Sequence, residues 1–392
     1  MKIAILTSGI LPVPAVQGGA VENLVDFYLQ YNELHHLHDI TVYSVWHPNV
    51  KMHPALKSEV NHYHFIMMNG WWARLKKKIY QKTHGKEYYH YTIEYFLEQA
   101  LKHFIKQQYD IIILENRPGY ALKLKGRTKA KIVYHLHNDL LNYKNKSAGV
   151  LYDAATRIIT VSNYITNRVK TIQSDESKCM TVHNGINTTI FYNALPYNRQ
   201  NKSFLEDDFI IVYSGRLTEE KGILQLIRAI KQLQETNNLR LMIVGASAYG
   251  KDKQPTIFIK QLEKESESIK DKVIFTGFVS YDKIPSFLKM ADLAVVPSMW
   301  EEPFGLTVVE AMAAGVPLIT TRSGGIPEIC EGVATIVERD TIVENLASAI
   351  LDLYKHPDKR KKMSEASLKR SKLFDKETYA KNFFAALEEL GE

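Results

Sequence analysis

The chain has 392 residues, 45% of them hydrophobic and 24% charged, and it carries a net charge of +7. Such a composition is typical of a soluble globular protein, and the length predicts two domains rather than one. No apolar run approaches the roughly 20 residues that a membrane-spanning helix needs. The two cysteines, Cys179 and Cys330, lie far apart in sequence. They argue against a disulfide framework and favour a reducing, cytoplasmic location.

The charge is unevenly distributed along the chain. Residues 1–195 contain 23 Lys and Arg against 14 Asp and Glu, whereas residues 196–392 contain 27 against 29. The basic first half therefore predicts its own partner, which is either an anionic membrane at the inner face of the plasma membrane or a phosphate-bearing acceptor. Nucleic acid is not predicted as a partner, since the sequence lacks zinc-finger spacing, an RNP-type aromatic motif and a basic zipper.

Short apolar runs alternate with longer amphipathic stretches throughout the sequence. This alternation is typical of βαβ units and predicts two doubly wound, Rossmann-like α/β domains that face each other across a cleft. We interpret the polar segment 196–202 as a linker, which gives a first domain at 1–195 and a second at 196–374. The predicted strands are Ile3–Thr7, Ile40–Val45, Tyr63–Met67, Ile111–Leu114, Ile132–Leu136, Ile158–Val161, Phe209–Tyr213, Leu239–Val244, Val273–Phe275, Leu293–Val296 and Pro317–Thr320, and the clearest helices are Val21–Leu34 and Tyr91–Lys106.

Polar or glycine-bearing segments follow several predicted strands. Open parallel sheets bind ligands beyond the carboxyl ends of their strands, so these segments are the candidate site. They are Gly18-Gly19, His137-Asn138-Asp139, Gly215 to Gly222, and Pro297-Ser298 with the following Glu301 to Gly305.

Two glutamates, Glu302 and Glu310, flank a potential anion site. Glu302 belongs to a loop, and Glu310 is predicted about a turn and a half into a helix that starts near Gly305. The free N–H groups at Phe304, Gly305 and Leu306 would attract an anion, while the carboxylates could accept hydrogen bonds from sugar and ribose hydroxyls. This pattern matches a nucleotide diphosphate sugar. The alternative is that Glu302 caps the helix and Glu310 is solvated.

Arg216 and Lys221 bracket the loop that begins at Gly215 and opens the next helix. Arginine binds phosphate oxygens through its fork and lysine adds a mobile charge. Together they could stabilise the negative charge of a departing nucleoside diphosphate. The alternative is a solvated basic loop that Glu219 and Glu220 partly neutralise.

The first half offers a glycine pair and a pair of alternating histidines. Gly18-Gly19 allows positive φ or close backbone approach but lacks the Gly-x-Gly-x-x-Gly fingerprint of nicotinamide binding, and alone it favours a structural turn. His135 and His137 should lie on the same face of their strand. A strand-end histidine is more often structural than catalytic.

No metal site is predicted. An Asp-x-Asp motif that could clamp a metal on a diphosphate does not occur in the sequence. Two histidine clusters lack a companion acidic or cysteine ligand set. These clusters are His35-His36-His38 and His62-Tyr63-His64.

The segment Trp71 to Tyr80 is basic and contains aromatic residues. It could be an interfacial helix that contacts anionic lipid. The favoured alternative is a solvated lysine run beside two core tryptophans, Trp71 and Trp72.

Five spaced blocks in the second half resemble the retaining glycosyltransferases of family 4. They occur in order and cover most of residues 209–330. The first half resembles the family more thinly, and its segments Leu11 to Ala20 and 137–139 look most like bacterial surface-polysaccharide and spore-coat-type members. The five blocks are Gly215 to Gly222, Pro297-Ser298, Glu302-Pro303-Phe304-Gly305, Glu310 to Pro317, and Gly324-Gly325-Ile326-Pro327-Glu328.

This resemblance implies a GT-B fold, retention of anomeric configuration and a role for each site residue. Glu302 would hold donor-sugar hydroxyls, Glu310 the ribose hydroxyls, and His137 would lie near the reacting carbon. It also implies that the first domain, 1–195, is the acceptor-side domain, that the second, 196–374, is the donor domain, and that the helix at 375–390 packs back on the first domain. The implied catalytic residues are His137, Arg216, Lys221 and Glu302, and the implied donor-binding residues are Gly18, Gly19, Gly215, Arg216, Lys221, Glu302, Phe304, Gly305, Leu306 and Glu310.

We therefore expect a transferase that moves a hexose-type sugar from a UDP-sugar to a glycan or lipid-linked glycan in surface-polysaccharide synthesis. Both glutamates look like binding groups, which favours front-face attack without a metal or other cofactor. Two alternatives stay open. They are a sugar-nucleotide 2-epimerase of the same fold and a non-catalytic sugar-nucleotide-binding assembly partner.

Overall fold

The computed structural model describes residues 1–83, 91–173, 177–202, 204–246 and 256–390. They form two compact units. The first comprises Met1–Gly185 with Lys376–Glu392, and the second comprises Ile186–Asp375. Each unit is built on a single all-parallel sheet with helices between its strands, which confirms the predicted α/β, doubly wound class.

The first unit has a seven-stranded sheet in the order β3-β2-β1-β4-β5-β6-β7. The chain reverses direction across the sheet between β1 and β4, so loops diverge there and leave room for a ligand. The strands are β1 (Lys2–Leu6), β2 (Asp39–Val45), β3 (Asn61–Ile66), β4 (Ile111–Glu115), β5 (Lys131–Leu136), β6 (Arg157–Thr160) and β7 (Cys179–Thr181). The helices before the second unit are α1 (Ala20–His35), α2 (Trp71–Thr83), α3 (Tyr91–Phe104), α4 (Tyr120–Leu124), α5 (Ala148–Ala154) and α6 (Asn163–Lys170).

The second unit has a six-stranded sheet in the order β10-β9-β8-β11-β12-β13, again entirely parallel. Its reversal point lies between β8 and β11. The strands are β8 (Phe209–Ser214), β9 (Leu239–Val244), β10 (Val273–Gly277), β11 (Leu293–Val296), β12 (Leu318–Thr321) and β13 (Thr335–Val337). The helices are α7 (Thr188–Tyr192), α8 (Ile223–Gln232), α9 (Ile257–Ser266), α10 (Ile284–Met290), α11 (Leu306–Ala313), α12 (Ile326–Cys330), α13 (Ile342–Lys355) and α14 (Pro357–Ser371).

A final helix, α15 (Lys376–Glu388), returns to the first unit and packs against α1. The ring of Tyr28 stacks on that of Phe383, with centroids 4.3 Å apart and an interplanar angle of 6°. Tyr379, Phe383 and Phe384 are each at most 2% exposed and belong to the core of the first unit. Burial of three aromatic side chains contributes several kcal/mol, so α15 is an integral part of this unit.

Residues 186–195, which the sequence placed with the first domain, lie with the second unit. Ile186 forms a bridge with Asp375, and the Thr188 hydroxyl donates to Asp375 Oδ2 at 2.5 Å. Helix α7 packs against α10 and α11. The polar segment that follows is also structured, because the ring of Tyr197 stacks on Phe287 at 4.7 Å. Polarity alone therefore misplaced the change of unit by about ten residues.

Candidate active site

Two loops of the second unit lie against each other at the strand ends of its sheet. The Met299 N–H, after β11, donates to the carbonyl of Glu220, after β8, at 2.8 Å. Gly222 has a φ of 72°, and a Cβ there would lie 1.8 Å from the Pro297 carbonyl oxygen. Only glycine permits this backbone approach. The contact explains why Lys221 of one loop meets Glu302 of the other.

Glu302 is 7% exposed and is held by two side chains. Its Oε1 accepts hydrogen bonds from Lys221 Nζ at 2.5 Å and from the Ser298 hydroxyl at 2.9 Å. Lys221 Nζ also lies 5.2 Å from the centroid of the Trp300 ring. The N-cap of α11 is Gly305 and has no side-chain cap, so the alternative role of Glu302 as a helix cap is wrong.

The loop after β12 surrounds the main chain of Glu302. The Gly325 N–H donates to the Glu302 carbonyl at 2.8 Å. Gly324 has a φ of 52°, and a Cβ there would lie 2.1 Å from the same carbonyl oxygen. Gly324 is therefore needed to fix the backbone that carries Glu302, because a side chain there would push it away.

Glu310 lies on α11, which begins at Leu306 after Gly305 with a φ of 113°. This agrees with the predicted helix start. Glu310 is 8% exposed and accepts a hydrogen bond from the Tyr281 side chain. Burial raises the pKa of Glu310 to about 7, and the hydrogen bond from Tyr281 opposes that rise. The alternative of a solvated Glu310 is wrong. Phe304 is 2% exposed and packs edge-on against Phe374.

Arg216 lies in the same loop as Lys221 and is exposed. Its main chain is fixed, because the Tyr213 hydroxyl donates to the Arg216 carbonyl at 2.7 Å and the Gly215 N–H donates to Val244 at 3.0 Å. Hydrogen bonds thus hold the backbone at Arg216, while its side chain is exposed.

In the first unit, Gly18 and Gly19 have φ angles of 73° and 109°. The predicted positive φ is confirmed at both. Gly19 is the N-cap residue of α1, and a Cβ there would lie 2.2 Å from Glu22 Oε2. A Cβ on Gly18 would meet nothing within 4 Å. The backbone at Gly18 is therefore open to close approach by a ligand, whereas Gly19 is required by its own helix.

His135 and His137 lie on one face of β5 and its end, as predicted, and both contact Glu115 at the end of β4. His135 Nδ1 is 3.1 Å from Glu115 Oε1, and His137 Nε2 is 3.0 Å from Oε2. The Tyr28 hydroxyl donates to Oε1 at 2.8 Å. Glu115 and His135 are fully buried, and the His137 side chain is 5% exposed. We call Glu115, His135 and His137 together the histidine cluster.

The protonation states in the histidine cluster depend on two opposing effects, which are burial and the contacts with neighbouring charged and hydrogen-bonding side chains. Burial favours neutral Glu115, but the charges and hydrogen bonds of His135 and His137 outweigh it and hold the pKa of Glu115 well below its usual range. Burial, with a smaller effect of His135, lowers the pKa of His137 to about 4. Near pH 7 the cluster therefore contains an ionised Glu115 beside a neutral His137.

Sequence reasoning missed Glu115. In the part of the chain that the structure describes, the histidine cluster is the one group of side chains whose ligand atoms, all within 4.8 Å of one another, could hold a metal ion. The histidines at residues 35–38 and those at residues 62–64, which the sequence analysis considered, do not form such a group among the described residues. The sequence held no signal for Glu115, because its pairing with His135 depends on the register of β4 against β5.

Helix α2 exposes Trp71 and Trp72, whose relative exposures are 68% and 65%. The favoured expectation of two core tryptophans is wrong, because Ala73 is the residue that this end of the helix buries. Leu75 and Ile79 are also exposed. Across the described residues, the helices lack the combination of length and apolar character needed to cross a bilayer.

Comparison with known proteins assigns both halves of the chain. Residues 196–370 match the family described as "Glycosyl transferases group 1", and residues 31–190 match "Glycosyltransferase Family 4".

Two curated relatives and one solved structure are similar over much of the chain. The spore coat protein SA of Bacillus subtilis is 28% identical, covering 94% of this chain and 93% of the relative. The lipopolysaccharide 1,2-N-acetylglucosaminetransferase of Salmonella typhimurium is 28% identical, over 64% of this chain and 66% of the relative. The crystal structure of Anabaena Alr3699/HepE in complex with UDP and glucose has a TM-score of 0.72 at 20% identity and covers 99% of both chains. This chain is a glycosyltransferase with the GT-B fold, made of a Glycosyltransferase Family 4 domain and a Glycosyl transferases group 1 domain.

Proposed function

We propose that the protein is a retaining glycosyltransferase that moves a hexose-type sugar from a UDP-sugar to a glycan or lipid-linked glycan of the cell surface. The observation that carries this proposal is the Lys221–Glu302 ion pair at the strand ends of the second unit, with Arg216 in the loop that also carries Lys221. A cationic pair next to a buried carboxylate suits a ligand that is both a diphosphate and a polyol. The named Anabaena complex with UDP and glucose supports UDP as the nucleotide.

Each site residue has a proposed task. Arg216 and Lys221 bind the diphosphate, with Gly215 and the N-terminal backbone of α11 at Phe304, Gly305 and Leu306. Glu302 accepts hydrogen bonds from hydroxyls of the transferred sugar, and Glu310 accepts those of the ribose. In the first unit, the proposed donor contacts are Gly18, Gly19 and His137.

We propose front-face transfer as the mechanism. The bond between the anomeric carbon and the phosphate oxygen breaks while the acceptor oxygen bonds to the same face of the sugar. The departing phosphate oxygen takes the acceptor's proton, so the reaction needs no separate base. The Lys221 and Arg216 cations stabilise the charge that develops on the diphosphate. Glu302 is unsuited to act as a nucleophile, since Lys221 and Ser298 already engage its carboxylate.

An anionic membrane surface is the proposed location of the acceptor. Helix α2 presents Trp71, Trp72 and Ile79 to solvent together with the exposed cations Arg74 and Lys78. Aromatic residues beside basic ones are typical of a helix that lies in the lipid interface. A lipid-linked acceptor would be concentrated at such a surface. The names of the two curated relatives, one of the spore coat and one of lipopolysaccharide, support a surface-glycan role.

The test is a panel of nucleotide sugars carrying UDP, GDP or dTDP. A donor that binds only the folded state raises the apparent free energy of unfolding, by about 2.7 kcal/mol at one hundred times its Kd. The donors that raise the melting temperature are then assayed for release of nucleoside diphosphate and for the anomeric configuration of the product. Binding without release would favour a non-catalytic partner, and release with a 2-epimerised sugar would favour an epimerase. An inverted product would contradict the retaining mechanism.

A further inference from the structure

The histidine cluster contains a buried carboxylate that the proposed mechanism does not use. Glu115 is fully buried, and its carboxylate accepts a hydrogen bond from Tyr28 and lies within hydrogen-bond distance of ring nitrogens of His135 and His137. Burying a charge is costly unless it is fully hydrogen-bonded, so this arrangement needs a reason.

We propose that Glu115 is a positioning residue for His137: it accepts the Nε2–H of His137 and so fixes the tautomer whose Nδ1 accepts a hydrogen bond from a substrate hydroxyl. This inference rests on the proposed function, in which His137 contacts the transferred sugar. Glu115 itself touches no substrate in this scheme.

The tautomer follows from the chemistry of the two groups. A neutral imidazole carries one proton, and an ionised carboxylate can only accept hydrogen bonds. The proton between Glu115 and His137 therefore belongs to Nε2, which leaves a lone pair on Nδ1. In the described residues, His137 Nδ1 is buried and has no hydrogen-bond partner. A buried acceptor without a donor is what a hydroxyl group of the substrate would satisfy.

The same cluster could be interpreted as a metal site, but its outer contacts argue against one. A metal ion bound by the three residues would need unprotonated His135 Nδ1 and His137 Nε2 as ligands. The proton of each neutral imidazole would then be on the other nitrogen, which is His135 Nε2 or His137 Nδ1. Metal-bound histidines ordinarily donate that second N–H to an acceptor. Both atoms are buried without a partner among the residues described. Tyr28 already donates to the carboxylate, which completes the hydrogen-bonded arrangement.

The arrangement is held rigidly from behind. Tyr28 stacks on Phe383 of α15, and the ring of His135 lies 5.0 Å from that of Phe383. The groups that face His137 are Glu115 from β4 and His135 on its own strand, while Tyr28 of α1 and Tyr379 of α15 lie near Glu115. A carboxylate fixed on both sides holds an imidazole orientation better than a solvated one.

The test compares Glu115→Gln with wild type. Glutamine has nearly the same shape, but its NH2 group donates toward His137 Nε2 and so favours the opposite tautomer. Nitrogen-15 spectra of protein with labelled histidine report the tautomer directly, and the His137 signal is assigned by its loss in His137→Asn. Glu33→Gln is the matched control, since Glu33 is a half-buried glutamate of the same unit that accepts from Asn61.

We expect wild-type His137 to be neutral with the proton on Nε2, and Glu115→Gln to lose about 10- to 100-fold in kcat with a donor KM changed less than about twofold. Glu33→Gln should keep both. Three results would overturn the proposal. In the wild type, these are a His137 proton on Nδ1 and a His137 imidazolium at pH 7, and both can be observed even if the variant fails to fold. The third is a stoichiometric metal ion that the wild type binds and Glu115→Gln loses. An active wild type matched by a folded Glu115→Gln would overturn the positioning role alone, whereas a wild type inactive on every donor would overturn the proposed function as well.

Discussion

Lys221 Nζ lies 2.5 Å from Glu302 Oε1, although the two residues are 81 positions apart in the chain. Both belong to loops that follow neighbouring strands, β8 and β11. The lysine side chain is 21% exposed and that of the glutamate 9%, so water screens the pair only in part. When no donor is bound, Lys221, which is proposed to bind the phosphate, and Glu302, which is proposed to bind the sugar, neutralise each other's charge.

Lys221→Met should reduce turnover by about 100-fold or more, because the cation that offsets the leaving diphosphate is gone. It should also lower the free energy of unfolding by roughly 1–3 kcal/mol, since Glu302 keeps only the Ser298 hydrogen bond. Steady-state kinetics and denaturant unfolding measure the two effects. Lys231→Met, which removes a half-exposed lysine of α8, is the control and should change neither the turnover nor the free energy of unfolding. Equal turnover in the two variants would remove Lys221 from the site.

Arg216→Ala should affect activity far more than stability. The side chain is exposed, so its loss should change the free energy of unfolding by less than about 0.5 kcal/mol. Loss of the bidentate hydrogen bond from the guanidinium to the phosphate should lower kcat/KM by about 100-fold. Arg228→Ala, at another exposed arginine of the second unit, provides the comparison. If both arginine variants kept full turnover, the diphosphate role of Arg216 would be ruled out.

Donor binding should weaken as the pH falls through about 7. Burial raises the pKa of Glu310 to about 7, and only its carboxylate form can accept hydrogen bonds from both ribose hydroxyls. Isothermal titration of a UDP-sugar between pH 5.5 and 8.5 measures this, and Glu310→Gln should flatten the profile. Asp26→Asn is a matched control, because burial also raises the pKa of Asp26 to about 7 but in the first unit. A wild-type affinity independent of pH would contradict the ribose role.

The same shift has an opposite effect on stability. The folded-state pKa of Glu310 exceeds the usual 4.5, so the folded state holds the extra proton. Its stabilisation is complete below about pH 4.5 and is lost as the pH rises to about 7, by at most about 3 kcal/mol. Asp26 shifts in the same direction. The difference between wild type and Glu310→Gln therefore isolates Glu310 in urea unfolding.

Gly222→Ala should disrupt the loop contact that brings Lys221 to Glu302. Its Cβ would lie 1.8 Å from the Pro297 oxygen, which forces the two loops apart. Gly277 has nearly the same φ, 70° against 72°, but nothing within 4 Å of a Cβ. Gly277→Ala should cost about 1–2 kcal/mol of stability from backbone strain alone and leave turnover intact. Gly222→Ala should cost more and also lower turnover, and identical behaviour of the two variants would refute the contact's role.

Replacing Trp71 and Trp72 with serine should release the protein from vesicles that contain an anionic lipid. Sedimentation with such vesicles measures binding, which should weaken in high salt because the basic residues contribute. The control replaces Leu205 and Ile257, two exposed apolar residues of the second unit, with serine. Unchanged sedimentation of the tryptophan variant, or binding that ignores salt, would refute the proposed membrane contact.

The predicted strands lie within one or two residues of the observed ones. Most of them are buried on both faces, and such a parallel strand is a continuous apolar run in the sequence. Strands β7 and β13 were missed for a physical reason. Each has three residues, and most of them are only partly buried, so neither leaves such a run in the sequence. The change of unit near residue 186 was missed because it depends on the contact of Ile186 with Asp375, a partner 189 positions away.

The sequence predicted the environment of Glu302 and Glu310 better than that of His137. The two glutamates owe their positions to local features, a strand end and the helix that follows it. Glu115 and Tyr281 acquire their roles only through neighbours, which are His137 just after the adjacent strand and Glu310 on α11. Pairwise chemistry of this kind requires the register of the sheet, which one sequence does not contain.

Helix α15 gives the first unit a discontinuous chain, with the whole second unit inserted between its two parts. Tyr28 stacks on a ring of this helix and His135 contacts the same ring, yet the helix leaves the ribosome only after residues 186–375 have been made. Domains tend to fold in the order in which they are synthesised. In this chain the first unit needs α15 to complete its core, and α15 is synthesised last. The second unit can therefore complete its core before the first unit does. The α1 surface that α15 covers thus stays exposed on the nascent first unit until the second unit has been synthesised.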